Sequence, residues 1–142
     1  MPTAATPATG SRVVPGMRYR NAPAAIDWLC EVFGFARQLV VPGEDGTVIH
    51  SQLVLGTGMV MVSSVRTDDY GRLVRQPDEF EGAETQSCCL IVEDPDAVYA
   101  RLLAHGGTIV RDIQDESYGG RAFTCRDREG HIWTVGSYNP WA

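Results

Sequence analysis

Two stretches of the chain carry apolar residues at helical spacing. After Asn21, residues Ile26, Leu29, Cys30 and Phe33 stand at i, i+3, i+4 and i+7 and form one stripe. Asn21 or Ala22 is the expected N-cap, Pro23 sits in the first turn and Gly34 supplies the stop. A second stripe, Val98, Tyr99, Leu102 and Leu103, follows Asp94-Pro95, a capping residue with proline at the first helical position, and ends at Gly106-Gly107. Extended runs surround both helices. Val13–Tyr19 precedes the first, and Ala36–Val41, Thr47–Leu55 and Met59–Ser63 follow it. Gln86–Val92 precedes the second, and Thr108–Asp112, Arg121–Arg126 and Ile132–Gly136 follow it. Turn residues separate the runs: Pro42-Gly43, Gly56-Thr57-Gly58, Gly119-Gly120 and Glu129-Gly130.

The two stripes match at a fixed offset: Ala24 falls on Ala97, Leu29 on Leu102 and Gly34 on Gly107. Each half reads β-α-β-β-β, which makes the fold class α+β with two such modules. The expected divisions are a leader over residues 1–11, a first module over 12–63, a polar, acid-rich connector over 64–85 and a second module with a C-terminal tail over 86–142, together one domain. A single module is too small to bury its own sheet and helix, so two must pack, within a chain or across a dimer.

Composition narrows the function classes. Of 142 residues, 44% are hydrophobic and 21% charged, as in an ordinary globular domain. Twelve Lys and Arg against 18 Asp and Glu leave a net charge of −6, which disfavours binding to a phosphate backbone. No run approaches the roughly 20 apolar residues that span a bilayer, so neither nucleic acid nor membrane is an expected partner. Met1 to Ser11 lacks the apolar core of a secretory signal. Cys30, Cys88, Cys89 and Cys125 form no C-x-x-C pair and read as free, buried thiols of a cytoplasmic protein.

The order of elements resembles the vicinal oxygen chelate superfamily, which includes glyoxalases, bleomycin-resistance proteins and extradiol dioxygenases. The residues that carry the resemblance are Met17-Arg18-Tyr19-Arg20-Asn21 before Ala24–Leu29 and Phe33-Gly34-Phe35. In the second half they are Val92–Ala97, Tyr118-Gly119-Gly120-Arg121 and Asp127-Arg128-Glu129-Gly130-His131-Ile132-Trp133. The last stretch is similar to the family's D-P-x-G-H-x-W turn, with Arg128 where proline is usual. The resemblance implies a cupped mixed sheet, glyoxalase-like, and a homodimer of the bleomycin-resistance kind. It also implies metal-ligand positions at Val14, Met61, Ser87 and Thr134. Valine has no donor, methionine is a soft thioether, and neutral Ser and Thr hydroxyls are poor ligands for divalent ions. A shift of one residue gives Pro15, Val62, Cys88 and Val135, which is no better. No metal and no cofactor are therefore expected.

Alternation then suggests the lining of the cup. Thr134 brings Ile132 and Gly136 with it, and the same parity brings Met59, Met61 and Ser63. Val48, His50, Gln52 and Val54 face the same way, and the repeat adds Phe123, Arg121 and Cys125. His50 is the candidate for chemistry, as a base or a hydrogen-bond partner, against the reading of a structural strand histidine. Arg121 is either an anion clamp or half of a salt bridge. Tyr118 is either a rim residue or a loop anchor. His131 is expected to fix its turn, and His105 to end a helix. Trp28 is expected at a subunit contact, and Tyr138 and Trp141 either cap the cup, dock on a partner or form a loose tail. The acids Asp68, Asp69, Asp78, Glu79, Glu81 and Glu84 read as a solvated face.

The resulting expectation is a metal-free protein that sequesters a partly aromatic, hydrophobic ligand in a dimer cleft. Its ligand would be planar and bear an acceptor, held by His50, Gln52, Met59, Met61, Tyr118, Arg121, Phe123 and Thr134. The alternatives are a glyoxalase-like lyase, isomerase or dioxygenase with an atypical site, or a subunit whose cup is vestigial.

Overall fold

A computed structural model describes residues 10–142, so all but the last two residues of the expected leader lie outside the described residues. The element order is β1 (Gly16–Tyr19), α1 (Ala22–Phe33), β2 (Ala36–Pro42), β3 (Val48–Leu55), β4 (Gly58–Ser64), β5 (Cys88–Ile91), α2 (Pro95–Ala104), β6 (Thr108–Asp115), β7 (Arg121–Arg126) and β8 (Ile132–Gly136). This is the α+β repeat that the hydrophobic pattern predicts. The chain forms two compact units. One comprises the chain up to Cys30 with Gly34–Val65, and the other comprises Glu31–Phe33 with Arg66–Ala142. The connector and the last turn of α1 thus belong with the second unit.

The helices begin and end for local reasons. The Asn21 side chain accepts a hydrogen bond from the Ala24 amide at 3.2 Å, and Gly34 ends α1 in the left-handed conformation at φ 87°. Asp94 accepts from the Ala97 amide at 3.1 Å, with Pro95 at the first helical position of α2.

Each unit holds one four-stranded mixed sheet, in the orders β1-β4-β3-β2 and β5-β8-β7-β6. The first and last strands of each module pair in parallel, Gly16 with Met61 in one and Cys89 with Thr134 in the other. The remaining pairs are antiparallel. In the first unit Tyr19, Ile26, Trp28, Leu29, Leu53, Val60 and Val62 are buried. Trp28 is therefore a core residue and not an exposed aromatic awaiting a subunit. In the second unit Leu90, Val98, Leu102, Phe123, Cys125, Trp133 and Val135 are buried. The last turn of α1 adds Phe33, whose ring lies 5.1 Å from that of Trp133. No helix among the described residues is long and apolar enough to cross a membrane.

The connector is more ordered than a solvated acidic face. Gln76 and Glu79 cap a short 3₁₀ turn over Pro77–Phe80. Glu84 reaches the second sheet, where its Oε1 accepts from the Ile132 amide at 2.7 Å and its Oε2 from His131 Nδ1 at 2.6 Å. Arg126 donates to the Gly82 carbonyl at 2.6 Å. Three of the six expected surface acids, Asp68 included through its bond from the Gly71 amide, serve as backbone or side-chain anchors.

Candidate functional site

Period-two alternation gives each sheet a buried face and an open face. In the first sheet the buried face takes Ser51 and Leu53 from β3 and Val60, Val62 and Ser64 from β4. The opposite face carries half-buried His50, Gln52 and Val54 from β3 and Met59, Met61 and Ser63 from β4. Met61 lies directly across from Gln52, and Met59 from Val54. Arg18 on β1 joins this face and donates to Ser63 Oγ at 2.7 Å.

The polar residues of this face are linked. His50 Nε2 lies 2.8 Å from Gln52 Oε1, and Gln52 Nε2 donates to Gln38 Oε1 at 2.6 Å. Gln38 was not legible as a site residue because a bulge between Arg37 and Leu39 interrupts the alternation of β2. The structure thus brings together four of the eight expected ligand contacts, His50, Gln52, Met59 and Met61, and adds Gln38.

The second sheet corrects the expected lining. Phe123 is fully buried, and its ring meets that of Tyr99 on α2 edge-on at 5.3 Å. Cys125 is equally buried, and burial pushes its thiol up to about 12, with a smaller contribution from Asp127. Arg121 is committed to two carboxylates. It binds both oxygens of Asp96 at 3.0 and 3.1 Å and Asp115 at 3.0 Å, and those bonds hold its guanidinium more firmly protonated. Of its two readings the structure gives the salt bridge.

The cause is a single residue. Met61 and Thr134 are 73 positions apart, whereas their antiparallel partners Gln52 and Thr124 are 72 apart. Eight residues separate Gln52 from Met61 and nine separate Thr124 from Thr134, so the second hairpin is one residue longer between its paired positions. A one-residue slip exchanges the faces of a strand, so the structural counterpart of Gln52 is Thr124, and Phe123 corresponds to buried Ser51.

The open face of the second sheet carries Thr124 and Thr134, whose hydroxyls lie 3.0 Å apart, with Cys89 beside Thr134. Cys89 is exposed, and the partial desolvation of its thiol raises it above its ordinary value. Tyr118 is 58% exposed, and its ring meets that of Tyr138 edge-on at 5.1 Å. Its hydroxyl is bonded to Glu116, which raises it, while Arg111, 2.8 Å from the carboxylate, holds Glu116 low. Tyr118 is thus anchored to its loop while still exposed. Trp141 is 90% exposed.

The chain from residue 12 to 135 matches the family model described as the Glyoxalase/Bleomycin resistance protein/Dioxygenase superfamily. The protein belongs to the glyoxalase/bleomycin resistance/dioxygenase superfamily. It is 30% identical over 122 residues to the uncharacterized protein Mb0911c of Mycobacterium bovis, covering 86% of this chain and 80% of that one. Among solved structures it is similar to TioX from Micromonospora sp. ML1, with 32% identity, a TM-score of 0.68, and coverage of 92% of this chain and 100% of that one. A lactoylglutathione lyase from Agrobacterium tumefaciens, at 20% identity and a TM-score of 0.60 over 89% of this chain and 92% of that one, shares the fold.

The metal of the superfamily's metal-dependent members does not fit the residues this chain supplies. Val14 lies two residues before β1 and Ser87 immediately before β5, and Met61 offers a thioether. The Thr134 hydroxyl is already paired with Thr124. Among the described residues no three His, Cys, Asp or Glu side chains gather where they could hold a metal ion.

Proposed function

We propose that this superfamily member is a metal-free small-molecule-binding protein of the bleomycin-resistance type. It sequesters a partly aromatic, hydrophobic ligand and works in the cytoplasm as a homodimer, with the ligand in a cleft between subunits. The observation that carries this reading is the open face of the first sheet, where Met59, Met61 and Val54 surround the linked side chains of His50, Gln52 and Gln38. Apolar area with a few placed polar groups is the ordinary chemistry of a small-molecule site, and soft thioethers suit the face of an aromatic ring. The unsuitable donors at Val14, Met61, Ser87 and Thr134 support binding without a metal. Thr134 and Tyr118 remain candidate contacts. Phe123 and Arg121 act through the core and through ion pairs.

Titration calorimetry against a panel of planar aromatic dyes and antibiotics tests the reading. At least one saturable ligand is expected, with binding weakened in Met61→Ala. A folded protein that binds none of them leaves the vestigial role. A reaction that disappears in His50→Ala while affinity stays constant identifies an isomerase with His50 as its base.

A further inference from the structure

We infer that the open face of the first sheet reads its ligand through a directional hydrogen-bond relay, and that it takes a planar apolar molecule presenting an O–H or N–H donor to His50. This rests on the binding reading above and names the ligand chemistry of that face.

The direction follows from what each atom can do. Gln52 Nε2 donates to Gln38 Oε1 at 2.6 Å, which orients the Gln52 amide. The other end of that amide, Oε1, then faces His50 Nε2 at 2.8 Å. An amide oxygen only accepts, so Nε2 carries the ring hydrogen, and in the neutral imidazole Nδ1 is left as an acceptor. At the far end of the relay, Gln38 Nε2 is left as a donor. Among the described residues neither His50 Nδ1 nor Gln38 Nε2 has a hydrogen-bond partner. Turning every amide over would exchange both ends together, so the three side chains set one polarity between them.

A ring lying on Met61 and Met59 beside Gln52 is placed for its edge to meet this relay. A hydroxyl or ring N–H at that edge satisfies His50 Nδ1. A methyl ether or carbonyl sets lone pair against lone pair and leaves Nδ1 without a partner once water is displaced. The acceptor that the expected lining suggests for the ligand therefore belongs opposite Gln38, and the donor opposite His50.

The relay is tested first without ligand. Long-range proton–nitrogen spectra of neutral His50 in the intact protein should show the Nε2–H tautomer. The preference should relax toward a mixture in Gln52→Leu and in Gln38→Leu. A wild-type Nδ1–H tautomer overturns the inference. The second test compares 2-naphthol with 2-methoxynaphthalene, followed through labelled methyls of Met59 and Met61. The naphthol should bind roughly three- to tenfold more tightly, the range of one net hydrogen bond, and the advantage should vanish in Gln52→Leu. Equal affinities for wild type overturn the inference and leave the binding reading standing. If neither probe moves the methyls, the inference falls, and titration with the dye and antibiotic panel decides whether the binding reading falls with it.

Discussion

Trp133 donates its indole Nε1–H to Asp127 Oδ2 at 3.0 Å, deep in the second unit. The same carboxylate accepts through Oδ1 from the amides of Glu129 at 3.0 Å and His131 at 3.1 Å. One buried side chain therefore closes the turn before β8 and fixes the largest aromatic of the core. That turn sets the register of β7 against β8 and decides which residues reach the open face.

Asp127→Ala should strand these three donors. At about 1–3 kcal/mol for each buried group left unsatisfied, the variant should lose about 3 kcal/mol or more of stability. Urea denaturation followed by tryptophan fluorescence measures the loss, and a wild-type midpoint would contradict the role given to Asp127.

Most of the fold was legible because its signals are periodic and local. The apolar stripe ending at Phe33 and the caps at Asn21 and Asp94 mark the helices, and the matching halves give the repeat. The open face was legible in the first module, and in the second chiefly at Thr134. Carrying His50 onto Phe123 assumed a constant offset, and one extra residue between the paired positions of the second hairpin reverses the strand. The correction was present in the alternation itself, because Phe123 and Cys125 are apolar while Thr124 between them and Arg126 after them are polar. Gln38 and Glu84 were not legible, since one depends on a bulge and the other on a contact between residues 47 positions apart.

Phe123 and Met61 should separate core from site. Phe123→Ala is expected to cost about 3–5 kcal/mol, as for other buried aromatics. Met61→Ala, at a half-buried position, should cost about 1 kcal/mol and instead lower affinity for 2-naphthol severalfold. Thermal melts and calorimetry on both variants check the division, and a Phe123→Ala protein of wild-type stability would contradict it.

The thiols give a pH dependence. The Cys125 thiol is raised from 9.0 to about 12 in the folded protein, so the unfolded chain loses this proton first. Its contribution to stability is complete below about pH 9 and is lost as pH rises toward 12. Alkaline denaturation should be shallower in Cys125→Ala than in wild type over that window. Iodoacetamide at pH 8 should modify exposed Cys89 while leaving buried Cys125 intact, and mass mapping showing the reverse order would refute the assignment.

Glu84 holds the connector. Glu84→Ala removes acceptors from His131 and the Ile132 amide, so hydrogen exchange should accelerate over residues 76–84 and at Ile132. The strands of the first unit should keep their protection. Uniform acceleration across the chain would show that the contact supports the whole fold and not this segment.

Native mass spectrometry of protein purified without chelator tests the central claim most directly, because it reads subunit count, metal and ligand at once. The account predicts a dimer that carries no stoichiometric metal and takes up 2-naphthol in preference to 2-methoxynaphthalene. One equivalent of Ni, Zn, Fe, Mn or Co per chain would contradict it and make this superfamily member a metalloenzyme.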